Sequence, residues 1–174
     1  MKPAIDHSPK ILGFAAFSGT GKTTLLTQVI PLLVRQGKRL AIIKHSHHDF
    51  EIDRPGKDSY ELHHAGATQT LITSKYRHAL ISENITQQEV TLEQALSQLD
   101  LGNIDLVLVE GFRDDPTLPC IVCHRSKLNK PLLFNTAEKV IAIACDSPLE
   151  SSIQQLDINS PAQVADFIID WSRE

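Results

Sequence analysis

The chain has 174 residues, of which 41% are hydrophobic and 22% are charged, and its net charge is −4. This length favours one domain over residues 1–174 and suffices to bury a hydrophobic core. Basic residues are scattered and the N-terminus has no apolar signal core, so we expect a cytoplasmic protein with no nucleic-acid partner and no membrane segment.

Apolar strands and amphipathic helices alternate along the chain. The predicted strands are KILGFAA (10–16), RLAIIKH (39–45), QTLITS and RHALIS within 69–82, IDLVLVEGF (104–112), CIVCHR (120–125) and KVIAIACD (139–146). The predicted helices begin near Lys22 and cover 59–67, 91–99 and 160–171. We expect Pro31 to kink or break the first helix and Gly37 to cap its end. Thr91 with Gln94 predicts a capping box, and Ser160 caps the last helix.

Continuously apolar strands separated by helices are typical of a sheet that is buried on both faces and mostly parallel. The segment 69–82 resembles a tight hairpin, and the spacer before residue 119 is short. Both features suggest that some strands run antiparallel. The sequence therefore predicts an α/β fold, a P-loop NTPase-like three-layer arrangement with a mostly parallel, mixed central sheet flanked by helices.

Residues 16–23, the phosphate loop, read AFSGTGKT and match the P-loop pattern G-x-x-x-x-G-K-[ST] except at Ala16. Gly19 and Gly21 allow backbone N–H groups to turn inward around a phosphate. Lys22 would reach the terminal phosphates, and the Thr23 hydroxyl would ligate Mg²⁺. A strand precedes the loop and a helix follows it, so we expect a nucleotide-binding site.

A P-loop also needs a carboxylate at the end of a nearby strand to organise Mg²⁺ and water. Glu110 stands at the carboxyl end of the strand 104–112, where ligands gather in open α/β sheets. Asp105 begins the same strand, about 17 Å away at ~3.3 Å per residue. Glu110 is therefore the predicted acid, and the alternative is that it only precedes the turn at Gly111.

Histidine and carboxylate side chains crowd the segment KHSHHDFEIDRPGKD, and we call residues 45–58 the histidine loop. Three interpretations stay open. His45, His47 and His48 could bind a transition metal. Alternatively, Asp49 or Asp53 completes Mg²⁺ coordination while a histidine or lysine contacts phosphate. The third interpretation is a polar surface loop, in which Asp58 or Ser59 caps the next helix.

Asp146 is the candidate for reading the base, because it follows the last apolar strand at the ligand edge of the sheet. Its carboxylate would accept N1–H and the exocyclic amine of guanine, although it could equally be a turn residue before Pro148. The segment NKPL (129–132) begins like the guanine-reading Asn-Lys-x-Asp but ends in Leu132.

Cys120 and Cys123 have the CxxC spacing of redox and zinc sites. They lie in a predicted strand, where side chains three residues apart point to opposite faces. We therefore expect them to be buried apolar residues, as is common for free cysteines.

The runs FSGTGKTTLL, IIKHSHHDFEIDRPGKDSYELHHAGA and DLVLVEGF together resemble the molybdopterin-guanine dinucleotide biosynthesis protein B (MobB) family, over most of the chain. The resemblance implies a GTP-binding protein with weak GTPase activity. It also implies a homodimer with a joined sheet, to which the hairpin 69–82 could contribute an edge. Such proteins assist the guanylyltransferase that joins GMP to molybdopterin, as adapters, and other molybdenum cofactor proteins are further candidate partners.

Motif and resemblance together give one set of site residues. The catalytic candidates are Lys22 and Glu110. The candidates for binding GTP are Ser18, Gly19, Thr20, Gly21, Lys22, Thr23, Thr24, His45, His48 and Asp146. The candidates for binding Mg²⁺ are Thr23, Asp49 and Glu110.

Two other functions compete with a nucleotide-binding accessory protein. A small-molecule kinase would need an acceptor pocket and a basic lid, for which Lys57, Arg77, Arg113 and Arg125 are available but not clustered. A nucleotide-gated metal chaperone would use the histidines of the histidine loop. Because no arginine finger can be picked out beside the phosphate loop, the sequence favours slow hydrolysis.

Overall fold

The computed structural model describes residues 8–46, 49–86, 88–133 and 137–173. The chain divides into two compact units, one formed by Met1–His45 with Thr91–Glu174 and the other by Ser46–Val90. Each unit is described by itself, and the single domain expected over 1–174 stays a prediction. Within the described ranges, no helix has both the length and the apolar character needed to cross a bilayer.

The larger unit is built on a six-stranded sheet. Its strands are β1 (Lys10–Ala15), β2 (Leu40–Lys44), β5 (Leu106–Glu110), β6 (Cys120–His124), β7 (Val140–Cys145) and β8 (Gln155–Asp157). They lie in the order β2-β5-β1-β6-β7-β8, and all five pairings are parallel. The α/β fold with a mostly parallel sheet is confirmed.

The direction of β6 corrects one expectation. The short spacer before residue 119 suggested an antiparallel strand, but β6 runs parallel to both β1 and β7. An extended segment covering 111–119 reaches about 30 Å, which exceeds the ~17 Å of a five-residue strand. The connection can therefore return to the start of the sheet without a helix. β8 was not predicted, because three residues carry too little periodicity.

The sheet has helices on both faces. They are α1 (Lys22–Arg35), α3 (Leu92–Ser97) and α4 (Pro161–Trp171), and the smaller unit contains α2 (Asp58–His64). Alternate residues of β5 enter different cores: Leu106 and Leu108 pack with α1 and α4, whereas Val107 and Val109 pack with Leu92 of α3. This alternation of period two produces the three layers.

The ends of the helices follow the sequence signals. Gly37 N–H donates to the Val34 carbonyl and Lys38 N–H to the Leu33 carbonyl, the pair of bonds that defines a Schellman cap. Thr91 and Gln94 form the expected capping box, and the Ser160 side chain accepts from Gln163 N–H.

Pro31 does not break α1, which continues to Arg35. Pro31 is exposed, and the buried face of the helix lies on other positions: Leu25, Leu26, Val29 and Leu33. Burying four such side chains contributes about 1.5–3 kcal/mol each. That gain exceeds the roughly 3 kcal/mol that an interior proline costs.

The smaller unit holds a two-stranded antiparallel sheet of β3 (Gln69–Thr73) and β4 (His78–Ser82), as the hairpin signal predicted. His63 of α2 is buried and bridges the Thr70 hydroxyl and the Glu83 carboxylate at 2.8 Å each. In contrast to the buried His63, the apolar side chains of Leu71 and Leu80 are exposed, and the two residues are cross-strand partners.

The cap of α2 also differs from expectation. The N-cap position is Lys57 and carries no side-chain cap bond, while Asp58 is the first helical residue. Ser59 instead donates its hydroxyl to Asp53. Neither Asp58 nor Ser59 is therefore the cap, and Asp58 contributes only its negative charge to the positive end of the helix.

Candidate functional site

The phosphate loop joins β1 to α1 and exposes the start of that helix. Gly19 has φ 82° and Gly21 has φ 89°, the left-handed region that the inward-turning loop requires. Gly21 is the N-cap of α1 and brings no side chain to it. The first-turn N–H groups of a helix have no intrahelical partner, so this end attracts an anion. Ser18, Thr23 and Thr24 are exposed around it.

Thr20 holds the loop together from inside. It is 2% exposed, its hydroxyl donates to the Phe17 carbonyl at 2.7 Å, and its N–H donates to the same carbonyl at 3.3 Å. Its own carbonyl accepts from Arg125 Nε at 3.0 Å. Thr20 therefore stabilises the loop from its buried side.

Lys22 and Glu110 meet directly across the sheet. Lys22 Nζ lies 2.5 Å from Glu110 Oε1, and the two side chains are only 16% and 21% exposed. Glu110 ends β5, which is hydrogen-bonded to β1 with Phe14 opposite Glu110, so the acid stands beside the strand that enters the loop. The geometry brings together the two residues that the sequence assigned to catalysis.

Asp105 lies at the other end of β5, as the strand length predicted. It is bound by Arg39, whose side chain donates to both carboxylate oxygens, and this hydrogen bonding lowers the pKa of Asp105 to about 2. Asp105 is thus engaged in an ion pair remote from the phosphate loop. The choice of Glu110 over Asp105 agrees with the geometry.

Gly111 and His45 fix the position of Glu110. His45 N–H donates to the Glu110 carbonyl at 2.8 Å. Gly111 has φ 110°, and a Cβ placed on it would lie 2.6 Å from the Cβ of His45. The ring of His45 contacts the ring of Phe112 with centroids 4.5 Å apart. His45 therefore packs against the turn that follows the acid, within the larger unit.

The acidic residues of the histidine loop lie in the smaller unit. Asp49 is exposed and accepts from Phe50 N–H at 2.9 Å. Asp53 accepts from Ser59 and from Arg54 N–H, and these hydrogen bonds, the Ser59 bond first, lower the pKa of Asp53. His47 and His48 lie outside the described residues. Roles for His48 in binding GTP and for Asp49 in binding Mg²⁺ stay predictions.

Asp146 already has a partner. Its Oδ1 accepts from Ser126 N–H at 2.9 Å and from the Ser126 hydroxyl at 3.1 Å, and the backbone bond is the main cause that lowers its pKa. These bonds hold the turn after β6 against the end of β7. The carboxylate is ionised at neutral pH, but one of its oxygens is not available to a base. Base reading by Asp146 stays a prediction.

The cysteines are packing residues, as expected. Cys120 and Cys123 are buried in separate clusters on opposite faces of β6. Burial raises the pKa of the Cys123 thiol to about 12, so it carries no thiolate at neutral pH. Among the residues that the structure describes, no three His, Cys, Asp or Glu side chains gather as metal ligands.

The structure adds Arg125 to the site. Besides the Thr20 carbonyl, it donates from Nη1 to Asn159 Oδ1 at 3.0 Å, and its guanidinium lies beside Gly21. The sequence placed Arg125 only among scattered basic residues. The parallel direction of β6, which was not foreseen, brings this residue to the phosphate loop; a basic residue directly after an apolar strand was the available signal.

Comparison with known proteins identifies the family. The model of Molybdopterin guanine dinucleotide synthesis protein B, MobB, matches residues 11–146. The chain belongs to the MobB family. It is 43% identical over 164 residues to the Molybdopterin-guanine dinucleotide biosynthesis adapter protein of Escherichia coli K12, covering 94% of each chain. The adapter protein of Haemophilus influenzae is also 43% identical, over 96% of this chain and 92% of its own length.

Solved structures support the fold of this family member. A crystal structure of molybdopterin-guanine biosynthesis protein B superposes with a TM-score of 0.72, covering 92% of this chain and 99% of the other. The identity is 24%, so this likeness speaks for the fold. The family resemblance expected from the sequence is confirmed.

Proposed function

We propose that this MobB-family protein binds GTP with Mg²⁺ in its phosphate loop and acts as an adapter in the attachment of GMP to molybdopterin. The observation that carries the adapter role is the 43% identity, over almost the whole chain, to proteins named as adapters of this biosynthesis. The loop geometry supports nucleotide binding. The proposal includes a cytoplasmic location, where the guanylyltransferase partner would act.

Each residue of the site has a role that its position allows. Backbone N–H groups from Gly19 to Thr24 would surround the β-phosphate, and Lys22 would leave Glu110 to contact the terminal oxygens. The Thr23 hydroxyl and the Glu110 carboxylate would hold Mg²⁺. Mg²⁺ supplies charge neutralisation of the phosphates when it is bound.

Slow hydrolysis follows from where the arginine beside the loop stands. Arg125 contacts the Thr20 carbonyl and Asn159, on the β6 side of β1, whereas the Lys22–Glu110 pair lies on the β5 side. The Arg125 guanidinium therefore binds the loop backbone and is not directed at the position of the terminal phosphate. GTPases gain about 10³–10⁵ in rate from an arginine at that phosphate, so we expect turnover well below about 1 s⁻¹.

Nucleotide titration with Lys22→Ala tests the binding half of the proposal. Losing a charged hydrogen bond of about 1.5–3 kcal/mol should weaken GTP binding roughly ten- to hundredfold. Lys38→Ala, a lysine beyond the far end of α1, is the matched control and should bind as the unchanged protein does. ATP preference with brisk turnover upon adding an acceptor would contradict the proposal and favour the kinase.

The adapter half needs its own assay. Added to a molybdopterin guanylyltransferase with GTP and molybdopterin, the protein should increase formation of the dinucleotide cofactor and co-elute with the transferase. If the protein binds GTP normally but neither raises the yield of the dinucleotide cofactor nor co-elutes with the transferase, the adapter role is refuted and nucleotide binding is not.

We also propose that the protein is a homodimer and that the hairpin β3–β4 takes part. Leu71 and Leu80 form an exposed cross-strand apolar pair, 61% and 51% exposed, and Tyr76 at the turn is 78% exposed. Isolated monomers rarely leave such neighbours uncovered. Light scattering should show a dimer that Leu71→Asp dissociates, whereas Gln69→Asp, on the same strand face, should leave it intact. A monomer at micromolar concentration would refute this part.

A further inference from the structure

A small cavity opens beside the phosphate loop in the larger unit. Its volume is about 170 Å³. Its walls come from the start of α1, the residue after β6 and the segment between β8 and α4. Gly21, Arg125 and Asn159 are among the lining residues. Pockets for whole drug-sized ligands begin at about 300 Å³, so this cavity suits one part of a ligand, such as a single ring system.

The strand order places this cavity on the nucleoside side of the loop. The terminal phosphate belongs near Lys22 and Glu110, and Glu110 ends β5, on one side of β1. Arg125 follows β6 and Asn159 follows β8, both on the other side of β1. Gly21 belongs to both the loop and the cavity wall. A nucleotide with its phosphates in the loop would therefore extend its nucleoside into this cavity.

On the β6 and β8 side of the cavity, Arg125 and Asn159 each have a side-chain donor that is not used within the described ranges. Arg125 uses Nε for the Thr20 carbonyl and Nη1 for Asn159. A guanidinium only donates, so the Asn159 atom facing it must be the carbonyl oxygen, and the amide Nδ2 points away from Arg125. Within the described part of the chain, Arg125 Nη2 and Asn159 Nδ2 have no hydrogen-bond partner. A ligand lying there meets two N–H donors.

We propose that Arg125 and Asn159 read a guanine base through its adjacent acceptors O6 and N7. This inference rests on the proposed binding of a nucleotide in the phosphate loop. Adenine offers one acceptor at N7 but a donor amine in place of O6, and that amine would oppose the N–H groups of the protein. The pair therefore selects guanine over adenine.

This recognition differs from the carboxylate mode expected of Asp146. A carboxylate would accept from N1–H and the exocyclic N2 amine of guanine, whereas the donor pair contacts O6 and N7. ITP keeps O6, N7 and N1–H but lacks the N2 amine, and 7-deaza-GTP lacks the N7 acceptor. These two analogues separate the modes without any change to the protein.

The first test is a titration of the full-length protein with GTP, ITP, 7-deaza-GTP and ATP in Mg²⁺. The donor pair predicts that ITP binds within about threefold of GTP, and that 7-deaza-GTP and ATP bind about tenfold or more weakly, which is about 1.4 kcal/mol. If ITP instead binds as poorly as ATP while 7-deaza-GTP matches GTP, the base is read by a carboxylate and the inference is wrong.

The second test changes Asn159 to Asp. The carboxylate still accepts from Arg125 but removes the Nδ2 donor, so the ratio of GTP to ATP affinity should fall about tenfold. The added charge weakens both nucleotides alike and cancels in the ratio. Asn103→Asp is the matched control. Asn103 also accepts from an arginine, Arg39, but it precedes β5, at the end of that strand away from Glu110. An unchanged ratio in Asn159→Asp would overturn the inference.

Inorganic tripolyphosphate distinguishes this failure from failure of the proposed function. It probes the loop alone and should bind to the unchanged protein, and roughly ten- to hundredfold more weakly to Lys22→Ala. If neither tripolyphosphate nor GTP binds, nucleotide binding itself is wrong and the inference falls with it. If both bind but GTP, ITP, 7-deaza-GTP and ATP have equal affinities, only the guanine-reading role of Arg125 and Asn159 is refuted.

Discussion

Replacing Gly111 by alanine should be among the more damaging single changes in this fold. The residue has φ 110°, and a methyl group on it would lie 2.6 Å from the Cβ of His45 and 3.3 Å from the His45 carbonyl oxygen. Backbone strain of about 1–3 kcal/mol adds to about 1–3 kcal/mol for forcing atoms into an occupied site. We expect Gly111→Ala to lose about 4 kcal/mol, a fall in Tm of roughly 8–16 °C for this chain length.

Gly37→Ala supplies the comparison that isolates the contact. Gly37 also has a positive φ, 84°, but no atom lies within 4 Å of the position of its Cβ. Only strain of about 1–2 kcal/mol applies there. Urea unfolding of both variants measures the difference, and His45→Gly combined with Gly111→Ala should recover part of the loss. Equal losses in Gly111→Ala and Gly37→Ala would refute the claim that the approach of His45 constrains this turn.

Three further predictions concern stability and metal binding. The pKa of Asp105 in the folded protein, about 2, is below its ordinary 3.8. The contribution of Asp105 to the free energy of unfolding is therefore present above about pH 4 and is lost as the pH falls towards 2. Partial exposure limits it to about 1 kcal/mol, and Asp105→Asn should remove this acid dependence in unfolding curves. Lys139 is 8% exposed and donates to the Arg113 and Asp115 carbonyls. Lys139→Met should therefore cost about 2–4 kcal/mol in urea unfolding, whereas exposed Lys127→Met should cost almost nothing. Cys123→Ser should cost about 1–3 kcal/mol by burying a hydroxyl without changing the metal content measured by elemental analysis; loss of bound zinc would contradict the packing role.

The sequence predicted the elements whose signals are local. The phosphate loop, the strand carrying Glu110 and the capping box at Thr91 each depend on a few neighbouring residues, and all of them form as expected. The burial of Cys120 and Cys123 on opposite faces followed from strand geometry alone.

The missed features depend on contacts between distant parts of the chain. The direction of β6 is decided by hydrogen bonds to β1 and β7, which no local pattern encodes. Arg125 meets Thr20 across a separation of 105 residues, and Asn159 across 34. The cap expected at Asp58 or Ser59 failed because the Ser59 hydroxyl found a stronger acceptor in the carboxylate of Asp53.

The uniform direction of the six strands divides the sheet into two ends with different tolerance to change. The amino-terminal end carries the Arg39–Asp105 ion pair, remote from the phosphate loop. The carboxyl-terminal end carries Lys22, Glu110 and Arg125. Engineering for heat resistance can therefore be confined to the first end, where better ion pairs or shorter loops stay remote from the proposed nucleotide site. Variants that lose the proposed GTP binding while melting normally should cluster at the second end. A mutational scan that measures both binding and melting temperature should therefore find the two kinds of variant at opposite ends of the strands.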